Sequence, residues 1–317
     1  MRKLTFLILL NLQFLVAAGN AIPVPPEIKK AVAFIYLFDN QSNPIALDHK
    51  GNLLKLKQES PVGTGFLIGV KRLGMEDSYG TYLVTNKHVL QKSDGSTIPI
   101  LGFRVNLIKG GVEIIKVPLV EKGDKKNIFF HNDPSVDLAV IIPKGLDLTK
   151  HDFKFMLDDL LTSKEDLTRL EVGEGTDVFF VGLFGSHFGQ QKNTPVVRFG
   201  KLAEVTDEKV NWNGVMTDLY LLEATSIGGH SGSPVFFYLE GFRRPGVITA
   251  GGQVFKLAGV MQGYFNELSE IQMFQPTQVT PIPVAVLNSG ISAIVPAYKL
   301  HEILFSDELK ALRSKKT

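Results

Sequence analysis

The sequence predicts an all-β chain: two six-stranded antiparallel β-barrels side by side, closed by a C-terminal α-helix. Three observations carry this expectation. Short apolar, β-branched runs recur at close intervals, punctuated by Gly, Asn, Asp and Pro. They fall into two groups of six, divided by a stretch rich in Asp, Leu and Lys. A single amphipathic segment with helical spacing follows the second group. Closed barrels leave few exposed strand edges, which favours them over an open sheet. A single large β-sandwich shares the pattern, and strand counts alone do not separate the two.

The elements follow in order. Residues 1–21 read as a secretory signal, with a basic start at Arg2 and Lys3 and a mostly apolar run over 4–19. Gly19-Asn20-Ala21 places small residues at the two positions a signal peptidase reads; Val16-Ala17-Ala18 is an alternative cut. The run carries Asn11 and Gln13 and is short against the ~20 residues a membrane span needs. Cleavage after Ala21, a secreted or periplasmic location and no stable span afterwards are therefore expected. Pro23-Val24-Pro25-Pro26 then starts the mature chain in an extended conformation. The first barrel, with the candidate His and Asp, is expected over 22–145, with strands at 31–38, 65–70, 81–85, 98–107, 112–120 and 137–143. A linker follows over 146–173, with a short helix near 157–170. The second barrel, with the candidate Ser, is expected over 174–295, with strands at 177–184, 196–205, 218–223, 234–239, 256–264 and 292–295. The closing segment, 296–317, holds a helix to about 312 that begins near Pro296, with Leu300, Ile303, Leu304 and Leu309 as its apolar stripe. Loops at 185–194 and 265–283 are either lids or solvated excursions.

Composition excludes several function classes. The chain has 317 residues, 44% hydrophobic and 21% charged, which is globular rather than disordered. It has no cysteine, so disulfides, a thiolate nucleophile and Cys-based metal sites are ruled out. The formal charge is +2, and the two cations Arg2 and Lys3 leave with the signal, so the mature chain is formally neutral. Nucleic-acid binding wants a clear basic excess, and is not expected. The run Lys122 to Lys126 reads as a solvated turn.

The chemistry concentrates in Gly228-Gly229-His230-Ser231-Gly232-Ser233-Pro234, running into Val235-Phe236-Phe237. A serine among glycines at the mouth of a strand suits a nucleophile, because glycine lets the backbone turn tightly and aim its N–H groups at a developing oxyanion. Ser231 then needs a base. His88 follows the strand-like Tyr82-Leu83-Val84-Thr85 and a short turn, so its imidazole sits where packing fixes position. The base needs an acid that holds its tautomer and offsets its charge. Asp137 opens the apolar run Leu138-Ala139-Val140-Ile141-Ile142, where a carboxylate without a donor partner is costly.

With these residues in hand, the chain resembles a trypsin-fold serine peptidase of the cysteine-free bacterial kind. Gly63-Thr64-Gly65-Phe66 resembles the family's Gly-x-Gly strand, and Thr85-Asn86-Lys87-His88-Val89 resembles the histidine block of Htr-type and glutamyl endopeptidase relatives. Asp137-Leu138-Ala139 resembles the aspartate block, and Gly229-His230-Ser231-Gly232-Ser233-Pro234 the nucleophile block. Asn288-Ser289-Gly290-Ile291 through Pro296 is a weaker fifth match, and the likeness runs from about Ala31 to the end of the sequence. The resemblance implies Ser231 as nucleophile, His88 as general base and then acid, and Asp137 as its orienter. It implies an oxyanion hole from the Gly229 and Ser231 N–H groups, a peptide or protein substrate, and neither metal nor organic cofactor. A substrate pocket follows from the same likeness, with Thr225, Ser226, Ile227 and Gly228 as one wall and Val260, Met261 and Gln262 in the other. Thr225 in place of an acid disfavours Arg or Lys before the cut, and Met261 in place of a histidine disfavours Glu, so apolar or small side chains are expected. His230 stands where the chymotrypsin-like digestive enzymes carry an Asp that pairs with a new N-terminus. Without that Asp, Ile22 has no partner and no such activation switch is expected. Nor is a PDZ-like extension expected.

Two rival readings stay open on the sequence. An α/β-hydrolase esterase would need Gly two places after the nucleophile, where Ser233 stands, and the order Ser, Asp, His. A non-catalytic binding module on a peptidase fold is compatible with every motif.

Overall fold

The computed structural model describes residues 24–72, 78–120, 126–239, 254–270 and 284–314. The expected signal at 1–21, most of the Lys122–Lys126 run and residues 271–283 of the second loop lie outside them.

A short helix, α1 (Pro26–Ala31), leads into the first sheet. That sheet contains β1 (Val32–Phe38), β2 (Pro44–Leu47), β3 (Leu53–Lys55), β4 (Gly63–Lys71), β5 (Tyr79–Thr85), β6 (Ile100–Leu107), β7 (Val112–Pro118), β8 (Ile128–Phe130), β9 (Ala139–Ile141), β10 (His151–Asp152) and β11 (Met156–Leu157). Its path runs β10-β6-β1-β4-β5-β9-β8, with β7 beside β6. Among the described residues, no ladder joins β7 to β8; the ring is completed there by the Val120–Lys126 bridge and by Asn127, whose N–H donates to Leu119 O at 3.0 Å and whose Nδ2 donates to Pro118 O at 2.8 Å. The first unit is therefore a half-barrel rather than the fully laddered barrel expected. The reason is length: β8 and β9 have three residues each, too few to carry a ladder around the circle.

The second unit is a closed six-stranded barrel, β12-β13-β16-β19-β18-β17. Its strands are β12 (Asp177–Gly182), β13 (Val196–Val205), β16 (Tyr220–Glu223), β17 (Pro234–Leu239), β18 (Val254–Glu270) and β19 (Val284–Pro296). The hairpin β14 (Val210–Trp212) and β15 (Val215–Thr217) stands apart from it. Closure excludes a sandwich for this half. All strand pairings are antiparallel except β11 with β4, so no doubly wound parallel sheet, as an α/β-hydrolase requires, occurs among the described residues.

Between the two units the chain laces them together. β10 adds to β6 and β11 to β4, while Leu161 bridges Leu257 of β18. The helix expected here is α2 (Lys164–Arg169), started by a capping box in which Ser163 and Asp166 satisfy each other's backbone N–H. The terminal helix is two, α3 (Ala297–Leu304) and α4 (Asp307–Ser314). No helix among the described residues is long and apolar enough to cross a membrane.

Strand alternation explains the cores. Every residue of β1 is buried, because both of its faces are covered. Ala33, Ile35 and Leu37 fill the first unit, while Val32, Phe34, Tyr36 and Phe38 turn outward into a cluster shared with the second. β12 mirrors this: Val178 and Phe180 face the second barrel's interior, Phe179 and Val181 the shared cluster. Leu300, Ile303, Leu304 and Leu309 of the terminal helices join that shared cluster. The units thus pack face to face through a common apolar layer, and the strand ends converge along its rim.

Candidate active site

β5 and β9 run antiparallel, with Thr85 opposite Ala139. His88 lies three residues past the end of β5, and Asp137 lies two residues before β9, so the ladder delivers both to one edge. There Asp137 Oδ1 accepts the His88 backbone N–H at 2.8 Å, and Oδ2 lies 2.5 Å from His88 Nδ1. Asn86 Nδ2 holds the Asp137 carbonyl oxygen at 2.8 Å. The carboxylate thus holds His88 by both its oxygens, while Asn86 fixes the Asp137 main chain. Its side chain is 11% exposed, against 49% for His88, so one end of the pair is enclosed and the other opens to solvent. Burial disfavours charge on His88, but the charge and hydrogen bond of Asp137 outweigh it and raise the imidazole pKa. Burial likewise works to raise Asp137, and the His88 charge and hydrogen bonds outweigh it, leaving the carboxyl below its ordinary range.

Ser231 arrives from the other unit, three residues ahead of β17. Thr64 of β4 makes the junction. Its N–H donates to Ser231 O at 2.9 Å, its hydroxyl donates to Gly229 O at 2.7 Å, and the same hydroxyl accepts the Leu183 N–H at 2.9 Å. Thr85 Oγ1 in turn donates to Thr64 O at 2.7 Å, tying the strand that carries His88 to the same residue. A methyl group built on Gly63 would lie 3.3 Å from Val89 and 3.4 Å from Ser231 O, so Ser231 and the residue after His88 flank one small gap. Gly232 must be glycine: its φ is +87°, and a Cβ there would fall 2.0 Å from Thr64 O.

Ser231 Oγ donates to Gln262 O at 3.2 Å. Its hydroxyl is therefore parked on β18. Gly232 N–H on Met261 O and Met261 N–H on Ser233 O, both at 2.9 Å, seat the nucleophile loop on that strand. Among the described residues neither the Gly229 nor the Ser231 N–H donates to a backbone carbonyl. Gly229 has φ +96°; its carbonyl is taken by Thr64, and the N–H of the same peptide unit, that of His230, donates to Ile227 O at 3.1 Å.

The residues expected in the substrate pocket divide by burial. Thr225 and Gly228 are exposed and Ile227 is half-buried. Ser226, Val260, Met261 and Gln262 are buried, Val260 in the shared cluster and Met261 in the interior of the second barrel. The Val260 and Met261 side chains are thus taken up by packing on opposite faces of β18. Asn288 Nδ2 donates to Ser226 O at 2.6 Å, and Ser289 Oγ donates to Phe265 O at 2.9 Å, binding both walls to β19. Arg198 of β13 reaches behind the first wall to Thr225 O at 3.3 Å.

The loop at 185–194 is strapped to the first unit. Arg104 of β6 is 5% exposed; its Nε donates to Asn193 Oδ1 at 2.7 Å, and its Nη2 donates to the carbonyls of Phe188, Gly189 and Lys192. Asn193 Nδ2 returns a bond to Arg104 O at 2.7 Å. The sequence analysis missed Thr64, Asn86 and Arg104. A polar residue inside an apolar strand was the signal available for Thr64 and Arg104.

The family described as Trypsin-like peptidase domain matches residues 63–241, which span His88, Asp137 and Ser231. The MamO protease domain from Magnetospirillum magneticum (apo form) is 16% identical, over 87% of this chain and 96% of that one, with a TM-score of 0.44. Rv3671c from M. tuberculosis H37Rv, a serine-to-alanine mutant in an inactive form, is 16% identical over 87% and 86%, with a TM-score of 0.40. No curated protein matches the chain.

Proposed function

This chain belongs to the trypsin-like peptidase domain family, and from that premise we propose that it is a secreted or periplasmic serine endopeptidase acting through Ser231, His88 and Asp137. The observation that carries the reading is the double contact of Asp137 with the His88 backbone and ring. With Nδ1 committed to the carboxylate, the neutral imidazole bears its proton there, and Nε2 is left to accept one.

The steps follow from that tautomer. Ser231 Oγ leaves the Gln262 carbonyl, passes its proton to His88 Nε2 and attacks a peptide carbonyl carbon. The carbonyl oxygen takes up the electron pair as the C–O bond forms, and the Gly229 and Ser231 N–H groups stabilise it. The C–N bond then breaks, with the His88 proton going to the leaving amine. Water, deprotonated by His88, hydrolyses the acyl-enzyme and restores Ser231. Asp137 stays ionised and offsets the imidazolium in both halves. The substrate is a protein or peptide, and export rests on the N-terminal signal pattern alone.

A fluorophosphonate probe tests the reading. Labelling of the wild type is expected at one site and is lost in Ser231→Ala; labelling in His88→Ala falls by about 10⁴–10⁶, as does turnover, with the double variant little worse. The rival reading, a peptidase fold used as a non-catalytic scaffold, draws on the hydrogen bond that parks Ser231 Oγ on Gln262. A wild type that neither labels nor cleaves any peptide in a mixed library would establish that rival instead.

A further inference from the structure

Immediately before the nucleophile, His230 faces away from the cleft into the second barrel. It is 0% exposed, with its ring edge-on to Phe180 of β12 at 5.1 Å. Its Nδ1 accepts the Ile227 N–H at 3.1 Å and lies 3.4 Å from the Ser226 hydroxyl. A backbone N–H can only donate, so Nδ1 carries the lone pair and the neutral ring bears its proton on Nε2. That Nε2 has no hydrogen-bond partner among the described residues. The main chain closes the same turn: the His230 N–H donates to Ile227 O at 3.1 Å, and the Ser233 N–H donates to His230 O at 2.9 Å. His230 therefore holds both polar groups of the Ile227 backbone, one with its own backbone and one with its ring.

Gly228 and Gly229 form the interior of that turn. Two successive glycines leave the intervening peptide free to turn over, which would aim the Gly229 N–H elsewhere. Its two ends are pinned from opposite sides, by Thr64 on the Gly229 carbonyl and by His230 on Ile227.

We propose that His230 is a positioning residue for the oxyanion hole: its neutral ring, accepting from Ile227, keeps the 227–230 turn closed and the Gly229 and Ser231 N–H groups aimed at one point. This role rests on the peptidase reading of the site. The surroundings are suited to it. Burial, and then the Arg198 guanidinium on β13, hold the His230 pKa down to about 4. Arg198 is the charged group that acts on the ring; β12 presents only Phe180, and the turn itself only Ser226 and Ile227. Protonation would set an Nδ1–H against the Ile227 N–H and open the turn.

The experiment compares wild type with His230→Asn, whose Oδ1 can stand in for Nδ1, and His230→Phe, which keeps the ring against Phe180 without an acceptor. Fluorophosphonate labelling rates, kcat and KM on a reporter peptide are measured from pH 3 to 9, with thermal unfolding alongside. In His230→Phe, kcat and labelling are expected to fall about 10²-fold, the scale of one lost oxyanion donor, with KM within about threefold. His230→Asn is expected within about fivefold of wild type. Below pH ~4 the wild-type labelling rate should fall with a two-proton slope, from His88 and His230 together, and that of His230→Asn with a one-proton slope. Equal damage in the two variants, or a His230→Phe kcat within threefold of wild type, overturns the proposal. Should His230→Phe not fold, ¹⁵N NMR of wild-type His230 decides: a proton on Nε2 is expected, and one on Nδ1 overturns it. A wild type that is never labelled means that the peptidase reading has failed, and the NMR tautomer still reports on the clip.

Discussion

Replacing Asp137 by Asn strikes the proposed chemistry at its most constrained contact. Asp137 accepts the His88 backbone N–H with one oxygen and faces His88 Nδ1 with the other. An amide has a single oxygen. The backbone N–H cannot accept, so that oxygen stays on it and the amide NH₂ must face Nδ1. Nδ1 then has to accept, which moves the imidazole proton to Nε2, the atom that receives the Ser231 proton. The loss has two parts. With charge centres about 4 Å apart and an effective dielectric of about 20, the carboxylate stabilises the imidazolium by about 4 kcal/mol. The wrong tautomer supplies the remainder of a loss of about 10⁴ in turnover, or about 5.4 kcal/mol. The pH profile moves as well. In wild type the His88 pKa is raised, so activity gained as the ring deprotonates should be half-maximal above the ordinary ~6.5. In Asp137→Asn burial acts without the opposing carboxylate, so that midpoint should drop below ~6.5 even as the plateau collapses. Measuring kcat on an activated ester from pH 4 to 10 reads both effects. A plateau within tenfold of wild type, or a midpoint that does not move down, would refute the assignment of Asp137 to the imidazole.

Two further predictions concern the scaffold. Thr64→Val keeps the side chain's shape but leaves Gly229 O and the Leu183 N–H without Thr64's hydroxyl, and should cost about 2–4 kcal/mol in urea unfolding together with a turnover loss of tenfold or more. Arg104→Met leaves three loop carbonyls without their buried donor, and should cost about 3 kcal/mol and admit protease nicking within 185–194, read by limited proteolysis. An unchanged cleavage pattern would show that the loop holds itself.

All twelve strands expected from apolar runs occur in the structure, because runs rich in β-branched and aromatic residues fit a pleated surface that buries at least one face. The seven further strands, β2, β3, β8, β10, β11, β14 and β15, are two to four residues long and carry no readable period. Residues 266–270 extend β18 although they read as loop, because they pair with residues 284–288 of β19. The blocks around His88, Asp137 and Ser231 were legible as motifs, and the matched family span of residues 63–241 contains all three. The pocket was less so: its walls came from a resemblance, and the burial of Val260 and Met261 in two separate clusters is set by packing that the motif does not encode. A polar residue in an apolar strand marks Thr64 as unusual, but its partners lie 119 to 167 positions away, and no local pattern names them.

The bonds that Thr64 makes with the other unit have an evolutionary consequence. Gly229, Ser231 and Leu183 all hang from one residue of the first unit, so any slide of one unit against the other would reach the reactive loop at once. On the proposed function, divergence in substrate is then confined to the rims, where loops can lengthen or change character, while the spacing of the two halves stays locked.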